Sequence, residues 1–398
     1  MRSEDGVSRR RFLKAGVGVS FLLSPTLHAF PQSAVSAQGE QENKGLDGPF
    51  HEYRDEKTGA RVRVLTPGPE RDQVIYQTHP MWTPNMTHLV FNSRPADGNV
   101  RPHALDMKTG ATRCLIERDA EDWVLARKDD RLYLRRGDDV SAVHAADFSG
   151  ASQPEEKVAA FEGLAALKPI SMSLDANEKA IYVGGTLEDG KRWGITELDL
   201  ASSRVRTITE VGFRVGHIQA NPVTPGIILF CHETGGDAPQ RTWVVNADGT
   251  GLRPFYKETY DEWVTHEVWW GADRAAFTIW PYDDIHLHKP HGVVSADLAT
   301  GTPTVHSQYP AWHTHGSPDR RWLLGDDFDR NLWLIRVEAG QRRLLTQGHN
   351  GAGFDTHPHA SFTPDSKAVV FNSSRNGTED ILLVELPEWD ALPTRAAT

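Results

Sequence analysis

A chain of 398 residues with 34 Gly, 24 Pro and 24% charged residues has the composition of a turn-rich globular protein and argues against long helices. Its formal charge of −11 argues against nonspecific binding to nucleic acid or anionic lipid, because neutralising phosphates takes clustered Lys and Arg; a polyanionic ligand would need cations placed at its own site. Two cysteines, Cys114 and Cys231, exclude a disulfide framework and leave at most one bridge.

The N-terminus carries the first element. Ser8-Arg9-Arg10-Arg11-Phe12-Leu13-Lys14 matches the twin-arginine pattern, followed by a short apolar run from Ala15 to Leu27 and a small-residue cleavage site at Val35-Ser36-Ala37. That run is too short and too rich in Gly and Ser for a membrane span. Residues 1–37 therefore read as an export signal, 38–44 as a linker, 45–390 as the folded domain and 391–398 as a tail. Export places the mature protein in the periplasm or outside the cell, with no membrane attachment once the signal is removed.

A strand predicted from Gly59 to Thr66 comes next, and after it the sequence repeats. The unit is an apolar residue, Ser/Thr-Pro-Asp/Asn or a variant, a short gap and an alternating strand. It appears as MWTPNMTHLVFNSR from Met81, SMSLDANEKAIYVGG from Ser171, NPVTPGIILFCHE from Asn221, EVWWGADRAAFTIW from Glu267, HTHGSPDRRWLLGDD from His313 and ASFTPDSKAVVFNSS from Ala360. A weaker unit without the Ser/Thr-Pro-Asp turn covers Trp123 to Phe161. Each continues into strand, turn and strand, with Asp-x-x-x-Gly or Asn-Ala-Asp-Gly supplying the positive φ that hairpin loops need. Four-stranded sheets repeating at about 45 residues predict an all-β, seven-bladed β-propeller. The strand at Gly59–Thr66 is expected to complete the last sheet and remove an exposed edge.

In a propeller the segment before each blade's innermost strand opens onto the central channel. His79, His217 and Gln219, His266, His313 and His315, and His357 and His359 occupy that position in five blades. Any one imidazole could simply bond a neighbouring carbonyl, but several around one funnel suit a divalent metal of the Mn, Fe, Ni or Zn type better than Ca. His357 and His359 stand two apart at the start of an expected strand, where i and i+2 share a face. The stretch His286 to His291, with Asp283 and Asp284 nearby, reads as a channel-side loop or a second ligand group. Asp326 to Asp329 reads as a turn rather than a Ca site. Arg241 ends a Gly-rich loop and is either a blade-edge salt-bridge partner or a planar fork held for a carboxylate.

The motifs ETGG-x-APQRTW, WVTHE, WH-x-x-GSPD and HPH-x-SF-[ST]-PD occur in this order, strongest from His217 to Asn376, and the chain thereby resembles the oligogalacturonate lyase family of seven-bladed propellers. The resemblance implies a divalent metal, typically manganese, on His313, His357 and His359, with His266 as base and Arg241 assisting. The family's glutamine ligand falls on Phe354, so the fourth ligand is His315 or a water; His217, Gln219 and His79 remain additional candidates for ligation or substrate binding.

β-Elimination from a uronate removes the C5 proton beside a carboxylate and expels the oxygen at C4. Loss of that proton piles charge onto the carboxylate, so a cation there lowers the barrier and a neutral histidine accepts the proton. Arg241 supplies local positive charge for a polyanion or keeps His266 unprotonated by repulsion. Trp82, Trp269, Trp270 and Trp312 are candidates for stacking on sugar faces or for core packing. The expected activity is cleavage of an acidic oligosaccharide; a noncatalytic TolB-like binding propeller and a metal-dependent hydrolase are the alternatives.

Overall fold

The computed structural model describes residues 49–149, 154–187, 190–259, 262–281, 291–351 and 356–394. The signal and linker read from residues 1–44 lie outside them. Seven antiparallel sheets follow one another along the chain, each strand paired with the next, over residues 71–114, 122–160, 171–211, 215–254, 262–307, 314–346 and 361–385. The weak unit at Trp123 is a complete blade: Asp122–Leu125 opens a four-stranded sheet like the others. First strands of neighbouring blades pack on one another, for instance Asp122–Leu125 on Ser171–Leu174 and Thr314–Gly316 on Ser361–Phe362, which places them innermost around the axis. Among the described residues no helix is long and apolar enough to cross a membrane.

The Ser/Thr-Pro-Asp repeat has a local physical cause. The hydroxyls of Thr83, Ser317 and Thr363 accept hydrogen bonds from the backbone N–H groups of His88 (3.0 Å), Trp322 (2.9 Å) and Ala368 (3.0 Å), five residues on. Each thereby satisfies the donor that opens the second strand. The fourth residue of each turn, Met86, Arg320 and Ser366, turns the chain with φ near +60° (58°, 62° and 61°). Between blades, Gly316 on an inner strand lies so close to the Trp270 ring that an added Cβ would sit 2.2 Å from it, which explains the glycine in HTHGSPD.

The ring closes as the sequence predicts. Arg61–Val64 pairs antiparallel with Asp380–Glu385, joining the chain's N-terminal strand to the last blade. A further strand, His51–Arg54, adds outside it and makes this sheet five-stranded, an element the repeat pattern did not reveal. Past residue 390, Leu392 is buried and Thr394 bridges to Arg343, so these residues pack on the body. Cys114 and Cys231 are both free.

Candidate active site

Three of the channel histidines sit on distorted backbone. In the inner strand Val215–Ala220 the pairing register shifts between Gly216 and Gln219, and in Glu262–Trp269 it shifts between Thr265 and Val268. His217 and His266 lie inside these bulges with φ of 46° and 54°, and His359 has φ of 43°. A bulge re-aims the side chain it carries, and a left-handed non-glycine residue is held there only when its surroundings over-determine it. His357 and His359 correct the same-face expectation: they precede the strand, which begins at Ser361. They reach one point because Pro358 and the positive φ at His359 turn the chain, while Asn372 fixes the loop through its N–H to the Pro358 carbonyl and its amide to the His357 carbonyl.

His313, His357 and His359 each offer a nitrogen within 4.8 Å of the others, and their ring centroids are 4.5 to 5.8 Å apart. Asp326 accepts from His313 Nδ1 at 2.9 Å, leaving Nε2 free with its lone pair. A ligand histidine anchored through its other nitrogen to a carboxylate is the usual arrangement in metal sites, so this donor set fits a borderline divalent cation. Burial, and then the neighbouring His313 and His357, hold His359 well below the ordinary histidine range, so it is neutral, as a ligand must be.

His266 adjoins this group, its ring centroid 4.1 Å from that of His313. Its Nδ1 lies 3.0 Å from the Tyr76 hydroxyl, and Tyr76 also packs edge-on against His359 at 4.9 Å. In the tautomer that donates Nδ1–H to Tyr76, Nε2 keeps the lone pair a base needs. Burial first, then His313 and Arg241, push the His266 pKa well below 6.5, so it is unprotonated at neutral pH.

Arg241 is 4% exposed, and its Nε donates to Glu267 Oε2 at 3.0 Å. The other Glu267 oxygen accepts from His217 Nδ1 at 2.9 Å. Burial would raise the Glu267 pKa, but Arg241 and then His217 outweigh it and hold it at about 2. The salt-bridge alternative for Arg241 is therefore realised, though with a partner wholly inside the protein rather than at a blade edge.

Several other candidates are committed elsewhere. His79 is 2.8 Å from the Met172 carbonyl through Nε2 and 2.7 Å from the Thr78 hydroxyl through Nδ1, leaving no free lone pair for a metal. Gln219 donates to the Glu267 carbonyl at 2.9 Å and accepts from Trp269 N–H, tying blade 4 to blade 5. His315 accepts from Phe362 N–H at 3.3 Å and is not part of the three-histidine group. Trp82, Trp269 and Trp270 are buried core residues; Trp312 is partly open and lies 4.2 Å from His357, ring to ring. Residues 282–290 and Phe354 lie outside the described residues. The sequence reading gives no site role to Tyr76 or Glu267 and takes Asp326 as part of a turn; Glu267 had a signal, standing next to His266 in WVTHE.

No protein-family model matches the chain. It is 28% identical over 221 residues to the oligogalacturonide lyase of Pectobacterium atrosepticum, a match covering 49% of this chain and 55% of that protein. It is 23% identical over 394 residues to the oligogalacturonate lyase of Dickeya dadantii, covering 87% of this chain and 98% of that one. The chain thus spans about half the length of the first relative and nearly all of the second. A solved oligogalacturonate lyase in complex with manganese superimposes with a TM-score of 0.71 at 22% identity, over 86% of this chain and 97% of its own. The resemblance read from the motifs is borne out, and the solved structure bears out the propeller.

Proposed function

We propose that this protein is a metal-dependent polysaccharide lyase that cleaves short oligogalacturonates, or related uronate oligosaccharides, by β-elimination to 4,5-unsaturated products. The observation that carries the reading is the contact between a three-imidazole group and a half-buried neutral histidine, 4.1 Å from ring to ring, with a buried guanidinium on the adjoining blade. His313, His357 and His359 would hold the cation, for which manganese has the support of the solved relative. When bound, the cation draws charge from the uronate carboxylate and acidifies the neighbouring C–H. His266 takes the C5 proton on Nε2 while Tyr76 keeps Nδ1, a role for a positioned base on the order of 10²–10⁴-fold in rate. Arg241, its charge balanced by Glu267, offers terminal amino groups as hydrogen-bond donors to a second carboxylate of the polyanion.

Incubation with digalacturonate and Mn²⁺, following the ultraviolet absorbance of the unsaturated uronate together with reducing ends, tests the reading. A lyase raises both, a hydrolase raises reducing ends alone, and a binding protein raises neither. The absence of unsaturated product across a panel of uronates sinks the proposal. His266→Ala is expected to abolish turnover with metal content unchanged; loss of metal in that variant would assign His266 to the metal instead. We also propose that the leader at Ser8–Lys14 exports the mature enzyme by the twin-arginine route. Replacing Arg9, Arg10 and Arg11 by lysine should leave the activity in the cytoplasm, and undiminished export would refute the assignment.

A further inference from the structure

We propose that Glu267 is a positioning residue that grips Arg241 and His217 with one carboxylate and so aims the remaining amino groups of Arg241 at a carboxylate of the substrate. The inference rests on the lyase reading for its substrate, but on geometry for its parts. Glu267 has no exposed surface, so it touches no substrate and acts through its two partners. An ionised carboxylate accepts hydrogen bonds and donates none, so both partner nitrogens must carry protons. That fixes the His217 tautomer with hydrogen on Nδ1 and spends the Nε edge of Arg241, leaving its two terminal amino groups uncommitted by Glu267.

The position of Glu267 is itself over-determined. Its backbone carbonyl accepts from the Gln219 amide at 2.9 Å, while Trp269, two residues on, binds Gln219 through its backbone N–H (3.3 Å) and its indole N–H (3.0 Å). The grip therefore spans two blades whose inner strands are stitched together at this height. Glu233 marks where the receptor points: its Oε2 lies 3.8 Å from both Arg241 Nη2 and His217 Nε2, beyond hydrogen-bond reach of each. With its proton on Nδ1, His217 turns a lone pair toward this oxygen and donates nothing there, so the donor left open is the Arg241 Nη2 amino group, which a substrate carboxylate would engage at hydrogen-bond distance.

The same cluster does not suit a second metal ion, although His217, Cys231 and Glu267 bring ligand atoms within 4.8 Å. The carboxylate is already neutralised by a guanidinium. Burial, reinforced by Glu267, pushes the Cys231 thiol well above its ordinary value, which withholds the thiolate a cation needs.

The isosteric variant Glu267→Gln tests the role in the full-length, metal-loaded protein. We expect kcat/KM on digalacturonate to fall about 100-fold while bound Mn²⁺ stays the same, since misplacing one oriented group costs about that much. Two further readouts separate positioning from mere support. In ¹⁵N-histidine NMR spectra, wild type should show His217 with its proton on Nδ1, and the variant should lose that signature. In a double-mutant cycle with Arg241→Gln, the two losses should not multiply, because both remove one unit. If Glu267→Gln does not fold, Glu267→Asp keeps the charge but shortens the reach, and the same loss of kcat/KM is expected. Wild-type kcat/KM in the variant, an unchanged His217 signal, or fully multiplicative losses would each overturn the proposal. Wild type that forms no unsaturated product counts instead against the lyase reading, and the NMR result still decides the role of Glu267.

Discussion

An imidazole ligates through one nitrogen, and whatever bonds the other nitrogen decides which one. At His313 the decision is made by Asp326, which the backbone places opposite it: Trp312 N–H donates to the Asp326 carbonyl at 2.7 Å, and the Asp326 side chain returns to His313 Nδ1. Removing that carboxylate frees the ring to rotate and lowers its basicity. Asp326→Ala is expected to weaken Mn²⁺ binding by about 10–100-fold, the usual cost of losing such an anchor, whereas His357→Ala should strip the metal. Titration calorimetry and metal analysis check both; stoichiometric Mn²⁺ retained by purified His357→Ala would remove it from the ligand set. The run DDFD shows how far sequence reached here. From Asp327 on it is the expected turn, with Asp327 Oδ1 accepting from the backbone N–H groups of Asp329 and Asn331, whereas Asp326 ends the preceding strand. That the acid one residue earlier faces inward depends on where the hairpin starts, and no residue pattern states it.

At the scale of elements, the repeat was legible because one hydroxyl does the same work in several blades. Thr363 accepts from Ala368 N–H and also donates toward Asp365, so its side chain both opens the second strand and fixes the turn. Thr363→Val keeps the shape and deletes the hydroxyl, leaving the buried Ala368 N–H without that partner; a loss of about 1–3 kcal/mol is expected in denaturant unfolding. A change within error would mean that the backbone relaxes enough to satisfy the donor elsewhere. The inner-strand bulges were not legible. Plain alternation puts His217 and Gln219 on one face, yet His217 faces Glu267 through its side chain while Gln219 bonds the Glu267 backbone. An extra residue in a strand leaves no mark in composition, so the channel position of the histidines could be read while the geometry that aims them could not.

At the scale of the molecule, a ring of sheets has no free edge only if both ends of the chain meet in one blade. Here residues 61–64 pair with 380–385, about 320 positions apart, so the last contact to form needs the whole domain to be present. Val62, Val64 and Leu65 are 0 to 2% exposed, and Arg63 reaches Glu385 at 2.7 Å, so the closing strand is core rather than trim. A chain that begins at residue 67 would expose the edge of Asp380–Glu385 and the apolar surface beneath it, the combination that pairs with other chains. We expect such a chain to lose cooperative thermal unfolding and to aggregate, and a synthetic peptide of residues 49–66 to restore a monomeric, metal-binding fold when added in trans. Cooperative melting of the shortened chain on its own would show that the remaining blades hold the ring without the clasp. A protein closed by its two ends completes its fold only once residues 380–385 have been synthesised.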